Sequence, residues 1–410
     1  MPMHHRHRPR PFRLCTLALT LLLGCSDSTG SAQADQSTPP DQIPELSDTQ
    51  DADAAPELEL SPDAEETRDT EDDTRDQQDA TELDSSEQDE PDEQEPPMPL
   101  YQSCTSSPEP SLSPQGFRHL SSELLVGVAN PEHSAQDVIA LPSSRTQIPG
   151  KFAYGRFSKD LQDEEIIAFL DDCSGFSELG RALTDSDGRV SFELDTTPLG
   201  LGRFALHQAV TGDASGAPSE LRVLPAGTQL IVLDIDGTLT TSDSEVLQDT
   251  IDEFFLPIYE GSYLPEAYPG AIALTQALAD KGYVLVYLTG RPYWLTRITR
   301  EWLQELGFAP GHLHLTDSNG EALPTEGGVG SYKRDYLLGL LAMGYTIEYA
   351  YGNATTDIWA FEQAGIDKSK TFIIGDHAGE EGTQGIAGDY LLHLAAVQAL
   401  PQALQPFAWP

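Results

Sequence analysis

The 410-residue chain is long enough for two ordinary domains with some left over, and its 67 Asp and Glu against 23 Lys and Arg give a formal net charge of -44 and a pI near 4.2. A protein that binds nucleic-acid phosphates needs a basic face, so this balance excludes that class. The acidity is concentrated: residues 26–100 hold no Lys, Phe, Trp or Tyr, only Arg68 and Arg75 as cations, and roughly half of the net charge.

At the N-terminus, residues 4–13 (HHRHRPRPFR) are basic and residues 14–23 (LCTLALTLLL) are apolar. The apolar run is short for a membrane span and has the length of a signal-peptide core. It ends in Leu22-Leu23-Gly24-Cys25, which resembles the lipobox of bacterial lipoproteins. That resemblance implies a signal peptide over 1–25, acylation of Cys25, and a lipid-anchored protein of the bacterial cell envelope. Ser26, where Asp would suggest inner-membrane retention, implies the outer membrane, with the folded part periplasmic or surface-exposed. Residues 26–100 cannot bury enough apolar surface to offset their ordering entropy, so they are expected to be a disordered acidic linker.

From 101 to 226 short strands separated by turn signals are predicted: 123–128 (ELLVGV), 151–157 (KFAYGRF), 165–170 (EIIAFL), 189–194 (RVSFEL), 203–210 (RFALHQAV) and 220–224 (ELRVL). In the fourth, Val190, Phe192 and Leu194 alternate with Arg189, Ser191 and Glu193, one face buried and one wet. Asp187-Gly188 supplies a turn. The pattern predicts an immunoglobulin-like β-sandwich. No catalytic cluster stands out in it, and His133 and His207 read as packing or surface residues. With Cys15 in the signal core and Cys25 lipidated, Cys104 and Cys173 remain as a pair that an oxidising compartment would permit to bridge. Sequence does not tell whether their Cα atoms come close enough.

From 227 to 410 strands alternate with helical periodicity, the signature of a parallel sheet covered on both faces. Residues 230–240 (LIVLDIDGTLT) deliver Asp234 and Asp236 at the tip of a buried strand. Buried carboxylates are costly without partners, so this placement points to a metal or phosphoryl site rather than to a simple Asp-Gly hairpin turn. Residues 283–288 (YVLVYL) form a strand ending in Thr289-Gly290-Arg291-Pro292, and a helix follows to Gly307. Leu313 and Leu315 mark a third strand, residues 331–343 a helix with Lys333 in its first turn, and 349–351 a strand leading into Asn353 and Asp357; residues 371–374 form another. In an open α/β sheet ligands bind outside the carboxyl ends of the strands, so these polar groups share one rim.

The order DIDGTLT, LTGR, Lys333, GNATTD resembles the four motifs of the haloacid-dehalogenase (HAD) phosphatase superfamily, and most of all the lipin-type catalytic domain found also at the C-terminus of the membrane-associated phosphatidylinositol-transfer proteins. GKFAYG at 150–155, DGRVSF at 187–192, VLPAGT at 223–228, YLTGRP at 287–292 and YLLH at 390–393 are similar to that family too, so the resemblance covers both folded domains. It implies a Rossmann-like HAD domain over 227–410 behind the sandwich. By this resemblance Asp234 is a nucleophile and Asp236 a general acid and base. Mg2+ is held by Asp234, the Asp236 carbonyl, Asp357 and Asn353, the last standing where the superfamily usually has Asp. Thr289 and Lys333, with backbone amides around Gly237 and Gly290, hold the phosphoryl oxygens. The transfer proteins commonly lack the nucleophilic acid and are thought to bind phosphatidate, whereas this chain keeps both acids. No segment after the first or second motif has room for a large cap, which leaves the site open to a lipid headgroup. Phe254, Phe255, Leu256, Ile258, Tyr259, Tyr263, Leu264 and Tyr268 form an aromatic-rich patch suited either to a membrane interface or to packing against the sandwich. The expected activity is Mg2+-dependent hydrolysis of phosphatidate or a related lipid phosphomonoester. Its alternatives are soluble phosphomonoesters such as nucleotides or sugar phosphates, or phosphatidate binding without turnover. No obligate protein partner is evident.

Overall fold

The computed structural model describes residues 101–155, 159–241, 265–318 and 320–406. The signal sequence, Cys25, the acidic linker and the patch residues 254–264 lie outside the described residues.

The first domain carries eleven strands: β1 (Gln102–Cys104), β2 (Ser134–Ala135), β3 (Val138–Ala140), β4 (Arg145–Lys151), β5 (Ala153–Tyr154), β6 (Lys159–Asp160), β7 (Glu165–Asp171), β8 (Phe176–Leu183), β9 (Arg189–Asp195), β10 (Gly202–Val210) and β11 (Gly216–Val223). One sheet runs β3-β11-β10-β7-β8, with β1 also paired to β10, and faces a smaller sheet β2-β4-β9. Ile148, Val190, Phe192 and Leu194 of the small sheet meet Ile166, Leu170, Phe204, Leu206 and Leu221 of the large one in a single core. The predicted alternation along β9 is present, with Val190, Phe192 and Leu194 buried and Ser191 and Glu193 exposed. Gly188, at φ 69°, makes the turn into β9; a Cβ there would lie 2.3 Å from the Phe152 carbonyl oxygen. Cys104 and Cys173 are joined in a disulfide, their Cα atoms 4.5 Å apart.

Of the strand expected over 123–128, residues 123–126 are instead part of a helix, Leu120–Val126, and Gly127 and Val128 form the turn after it. A short apolar run does not distinguish strand from helix, and here the start is fixed from outside: the Glu164 carboxylate accepts hydrogen bonds from the amides of Arg118 at 2.8 Å and His119 at 2.9 Å. The strand expected over 151–157 is interrupted at Phe152, which separates β4 from β5.

The second domain is a six-stranded sheet of β12 (Gln229–Leu233), β13 (Val284–Pro292), β14 (His312–Thr316), β15 (Thr346–Gly352), β16 (Thr371–Ile374) and β17 (Gln384–Ile386). All of its pairings are parallel. The spatial order β14-β13-β12-β15-β16-β17 is a doubly wound sheet whose direction of winding reverses between β12 and β15. Helices cover both faces. Ile231 and Leu233 point to the Ala271–Asp280, Thr296–Leu306 and His393–Ala399 helices. Leu230 and Val232 point to the Ser331–Ala342 and Thr355–Gln363 helices. Gly307, at φ 81°, stops its helix as its position suggested.

Strand β14 is an edge, and an open edge carries unpaired backbone groups that invite wrong pairing. The sandwich covers it with two side chains. Gln136 donates to the Leu315 carbonyl at 2.9 Å, and Asp137 accepts from the Leu313 amide at 2.9 Å. The Asp137 carboxylate, fully buried, also takes Arg300 at 2.8 Å and Arg222 at 3.3 Å. Burial works against its charge, but Arg300 and Arg222 hold it well below the usual carboxylate range. Ser134 and Thr296 share a buried hydrogen bond of 2.9 Å, and Ile139 and Leu224 enter the core of the second domain. By contrast the exposed Arg297–Glu301 pair on the same helix contributes only about 0.3–0.5 kcal/mol.

Removing Asp137 takes the bonded carboxylate from Arg300 and leaves the buried Arg222 with Glu220 and the Gly311 carbonyl, both at 2.6 Å. Asp137→Ala is expected to cost about 3–5 kcal/mol in denaturant unfolding. An outcome near the value of a surface pair would show that the edge contacts are dispensable.

Candidate active site

The site lies at the carboxyl ends of β12, β13 and β15, around the reversal point of the sheet. Strand β12 is buried on both faces, so the residues after Leu233 leave the sheet inside the protein: Asp234 is 4% exposed and Asp236 6%. The turn that follows is held from within. The Leu239 amide donates to the Ile235 carbonyl at 2.8 Å, and the Tyr390 hydroxyl donates to the Thr238 carbonyl at 2.9 Å.

The two acids face different partners. Asp234 accepts from the Lys333 ammonium at 2.6 Å and from the Thr238 hydroxyl at 3.0 Å. Lys333 donates equally to Asp357 at 2.6 Å. The other Asp357 oxygen takes the amides of Asn353 at 3.0 Å and Ala354 at 3.1 Å, which caps the Thr355–Gln363 helix. The Thr238 hydroxyl also stands 3.1 Å from the Asn353 side-chain oxygen. Asp234, Asn353 and Asp357 therefore converge on one place, with Lys333 between the two carboxylates.

Electrostatics follow from this burial. Desolvation raises the Asp234 pKa, and the neighbouring Asp357 and Asp236 add to it against the pull of Lys333. Burial alone would lower Lys333, but Asp234 and Asp357 more than reverse that and hold it above its ordinary value.

Asp236 turns toward β13 and the Arg291 guanidinium. Arg291 Nε lies 3.1 and 2.9 Å from its two oxygens and Nη2 lies 2.7 Å away, while the Thr289 hydroxyl donates to it at 3.2 Å. The cause is local: between Leu288 and Pro292 the β13–β14 register slips, so Thr289, Gly290 and Arg291 bulge out of the ladder. Such bulges re-aim side chains beside functional sites.

The groups expected to hold phosphoryl oxygens have protein partners in this structure. The Gly237 amide donates to Thr240 Oγ1 at 3.1 Å, because the turn closes on itself. Thr289 and Lys333 are engaged with carboxylates, so either would have to exchange partners to hold phosphoryl oxygens. Gly290 lies against the loop ahead of the Ser331–Ala342 helix, and a Cβ there would be 2.6 Å from Val329 Cγ2. Arg291, Thr238 and Tyr390 were given no role from sequence, although all three stand inside or beside quoted motifs. The one available signal was a lone arginine directly after a strand tip.

Among the described residues no three His, Cys, Asp or Glu side chains are grouped to hold a metal ion. A cation here would rest on two carboxylates, Asp234 and Asp357, with the Asn353 oxygen and a backbone carbonyl. That donor set, all hard oxygen and already gathered about one cationic group, fits Mg2+, which accepts few carboxylates and keeps several waters.

Residues 131–223 match the family model "PITM 1-3, beta-sandwich domain", and residues 231–375 match "PITM 1-3, LNS2 domain", a HAD-like domain. The chain is similar to these proteins over both folded domains. Membrane-associated phosphatidylinositol transfer protein 3 of Homo sapiens is 28% identical over 275 residues, covering 65% of this chain and 26% of its own length. Protein retinal degeneration B of Drosophila melanogaster is 28% identical over 276 residues, covering 65% of this chain and 20% of its own. The chain thus spans a small part of the curated relatives it matches. Among solved structures, the sensor domain of an anti-sigma factor from Pseudobacteroides cellulosolvens aligns over 24% of this chain and 98% of its own, with 11% identity and a TM-score of 0.20, and carries no argument. Every acid and cation described above for the site lies inside the LNS2 match.

Lys333→Met leaves Asp234 and Asp357 buried together without their shared cation. A loss of about 3–5 kcal/mol is expected in denaturant unfolding, partly recovered by adding Asp234→Asn. No recovery in the double variant would mean that Lys333 acts by packing and not by charge.

Proposed function

We propose that the chain is a Mg2+-dependent phosphatase that acts through an aspartyl-phosphate on phosphatidate or a related lipid phosphomonoester. The observation that carries this reading is the convergence of Asp234, Asn353 and Asp357 around Lys333, next to a second acid, Asp236. A phosphomonoester resists attack because its anionic oxygens repel a nucleophile, so charge must be neutralised and the attack positioned. With Asp236 protonated as the acid of the first step, Asp234 and Asp357 ionised and Lys333 and Arg291 charged, the site carries no net charge to offset a phosphate dianion. Mg2+ would supply that positive charge, held by Asp234, Asn353, Asp357 and the Asp236 carbonyl.

Asp234 attacks phosphorus; the bond to the leaving oxygen breaks, its electron pair stays with that oxygen, and Asp236 supplies the proton. Water then attacks the phosphoaspartate while Asp236 takes a proton from it, and the bond to Asp234 breaks to release phosphate. Lys333 would turn from Asp357 toward the phosphoryl oxygens. The lipid anchor at Cys25 and the bacterial envelope location belong to this proposal and rest on the N-terminal sequence; they would keep the site within reach of a membrane substrate.

A second reading, phosphatidate capture without turnover, is favoured by the relatives, several of which are named for phosphatidylinositol transfer and membrane association.

Phosphate release by the full chain with Mg2+ separates these readings, measured on phosphatidate in mixed micelles and on a panel of nucleotides and sugar phosphates. Turnover on phosphatidate that Asp234→Asn abolishes is expected. Turnover on the soluble panel alone makes the protein a scavenger, and vesicle binding with no turnover leaves the binding module.

A further inference from the structure

Arg291 takes part in no step of the reading above, yet it is 5% exposed and its fork is committed on two sides. Nε and Nη2 grip Asp236, Nη1 donates to Thr299 at 3.0 Å, and the guanidinium carbon lies 5.7 Å from the Trp302 ring centre. Its own backbone is fastened as well: its amide donates to Thr289 Oγ1 at 3.2 Å, and its carbonyl accepts from the Thr316 hydroxyl at 3.2 Å. Thr299 belongs to the Thr296–Leu306 helix, which is bonded to the sandwich through Arg300 to Asp137 and Thr296 to Ser134. The place of the Asp236 carboxylate is thereby set from across the domain boundary.

We infer that Arg291, braced by Thr299, is the positioning residue for proton transfer by Asp236, and that the sandwich contributes to the reaction by holding the helix that carries the brace. This rests on the phosphatase reading. A planar guanidinium fixes a carboxylate in both distance and direction, which an ammonium on a flexible stem does not. The proton matters most where the leaving oxygen is a poor one. The alkoxide of a diacylglycerol needs it, whereas p-nitrophenolate departs largely without it.

The test uses the full chain with Mg2+ on phosphatidate in mixed micelles and on p-nitrophenyl phosphate, with thermal unfolding recorded for every variant. Arg291→Gln is expected to lower kcat on phosphatidate about 100-fold, with little change in KM and a far smaller fall on the aryl ester. Thr299→Val keeps volume and charge and is expected to act in the same direction. Arg291→Lys is not expected to restore the phosphatidate rate, and in an Asp236→Asn background Arg291→Gln is expected to add nothing. Equal losses on both substrates in an active wild type, or additive losses in the double variant, would overturn the role of Arg291 while leaving the phosphatase reading in place. A wild type inert on both substrates overturns the phosphatase reading and this role together. If Arg291→Gln does not fold, Thr299→Val decides by the same comparison.

Discussion

Keeping Lys333 between Asp234 and Asp357 in a buried site is the constraint on which the second domain depends. Each charge alone would be expensive to bury, and each is tolerated because the others are present. The three come from the end of β12, the first turn of the Ser331–Ala342 helix and the first turn of the Thr355–Gln363 helix. They meet only if the sheet is wound so that β12 and β15 lie side by side, and the register of those strands is therefore tied to the chemistry. Such a cluster holds excess negative charge and is suited to a further cation better than to a bare anion.

The second acid belongs to a different network. Asp236 is tied to Arg291, Arg291 to Thr299, and the helix carrying Thr299 to Asp137 of the sandwich. The sandwich also covers the β14 edge through Gln136 and Asp137. The two domains share core residues and buried ion pairs, so the sandwich is part of the second domain's structure, and a loss at their interface reaches the site. Behind the β14 edge, His312 and His314 stack with Tyr336. Burial holds both imidazoles below their usual pKa, which keeps this layer neutral at physiological pH.

Most parallel strands of the second domain were legible because they are continuous apolar runs ending in polar tips, as in 283–288 and 371–374, whereas the short edge strand β17 carries no such run and was missed. Asp234 and Asp357 could be singled out because they follow such runs, and Lys333 because it falls in the first turn of a predicted helix within the resembling motif order. The partners of each were not legible. That Lys333 would bridge two acids depends on a helix first turn meeting a strand end nearly a hundred residues away, and Arg291 reaches Asp236 only because the ladder slips after Leu288. In the sandwich, β9 was read from strict alternation, whereas β8 was missed because its residues are mostly half-buried or exposed and carry no clear period. The helix at Leu120–Val126 was misread because its start is set by Glu164, far along the chain.

The most direct test of the central claim is to trap the covalent intermediate. The full chain with Mg2+ would be mixed with phosphatidate labelled in its phosphate, quenched in acid and digested, and the labelled peptide identified. The account predicts label on the peptide containing Asp234, lost on treatment with hydroxylamine and absent in Asp234→Asn. Turnover without a labelled peptide, or label retained in Asp234→Asn, would contradict it.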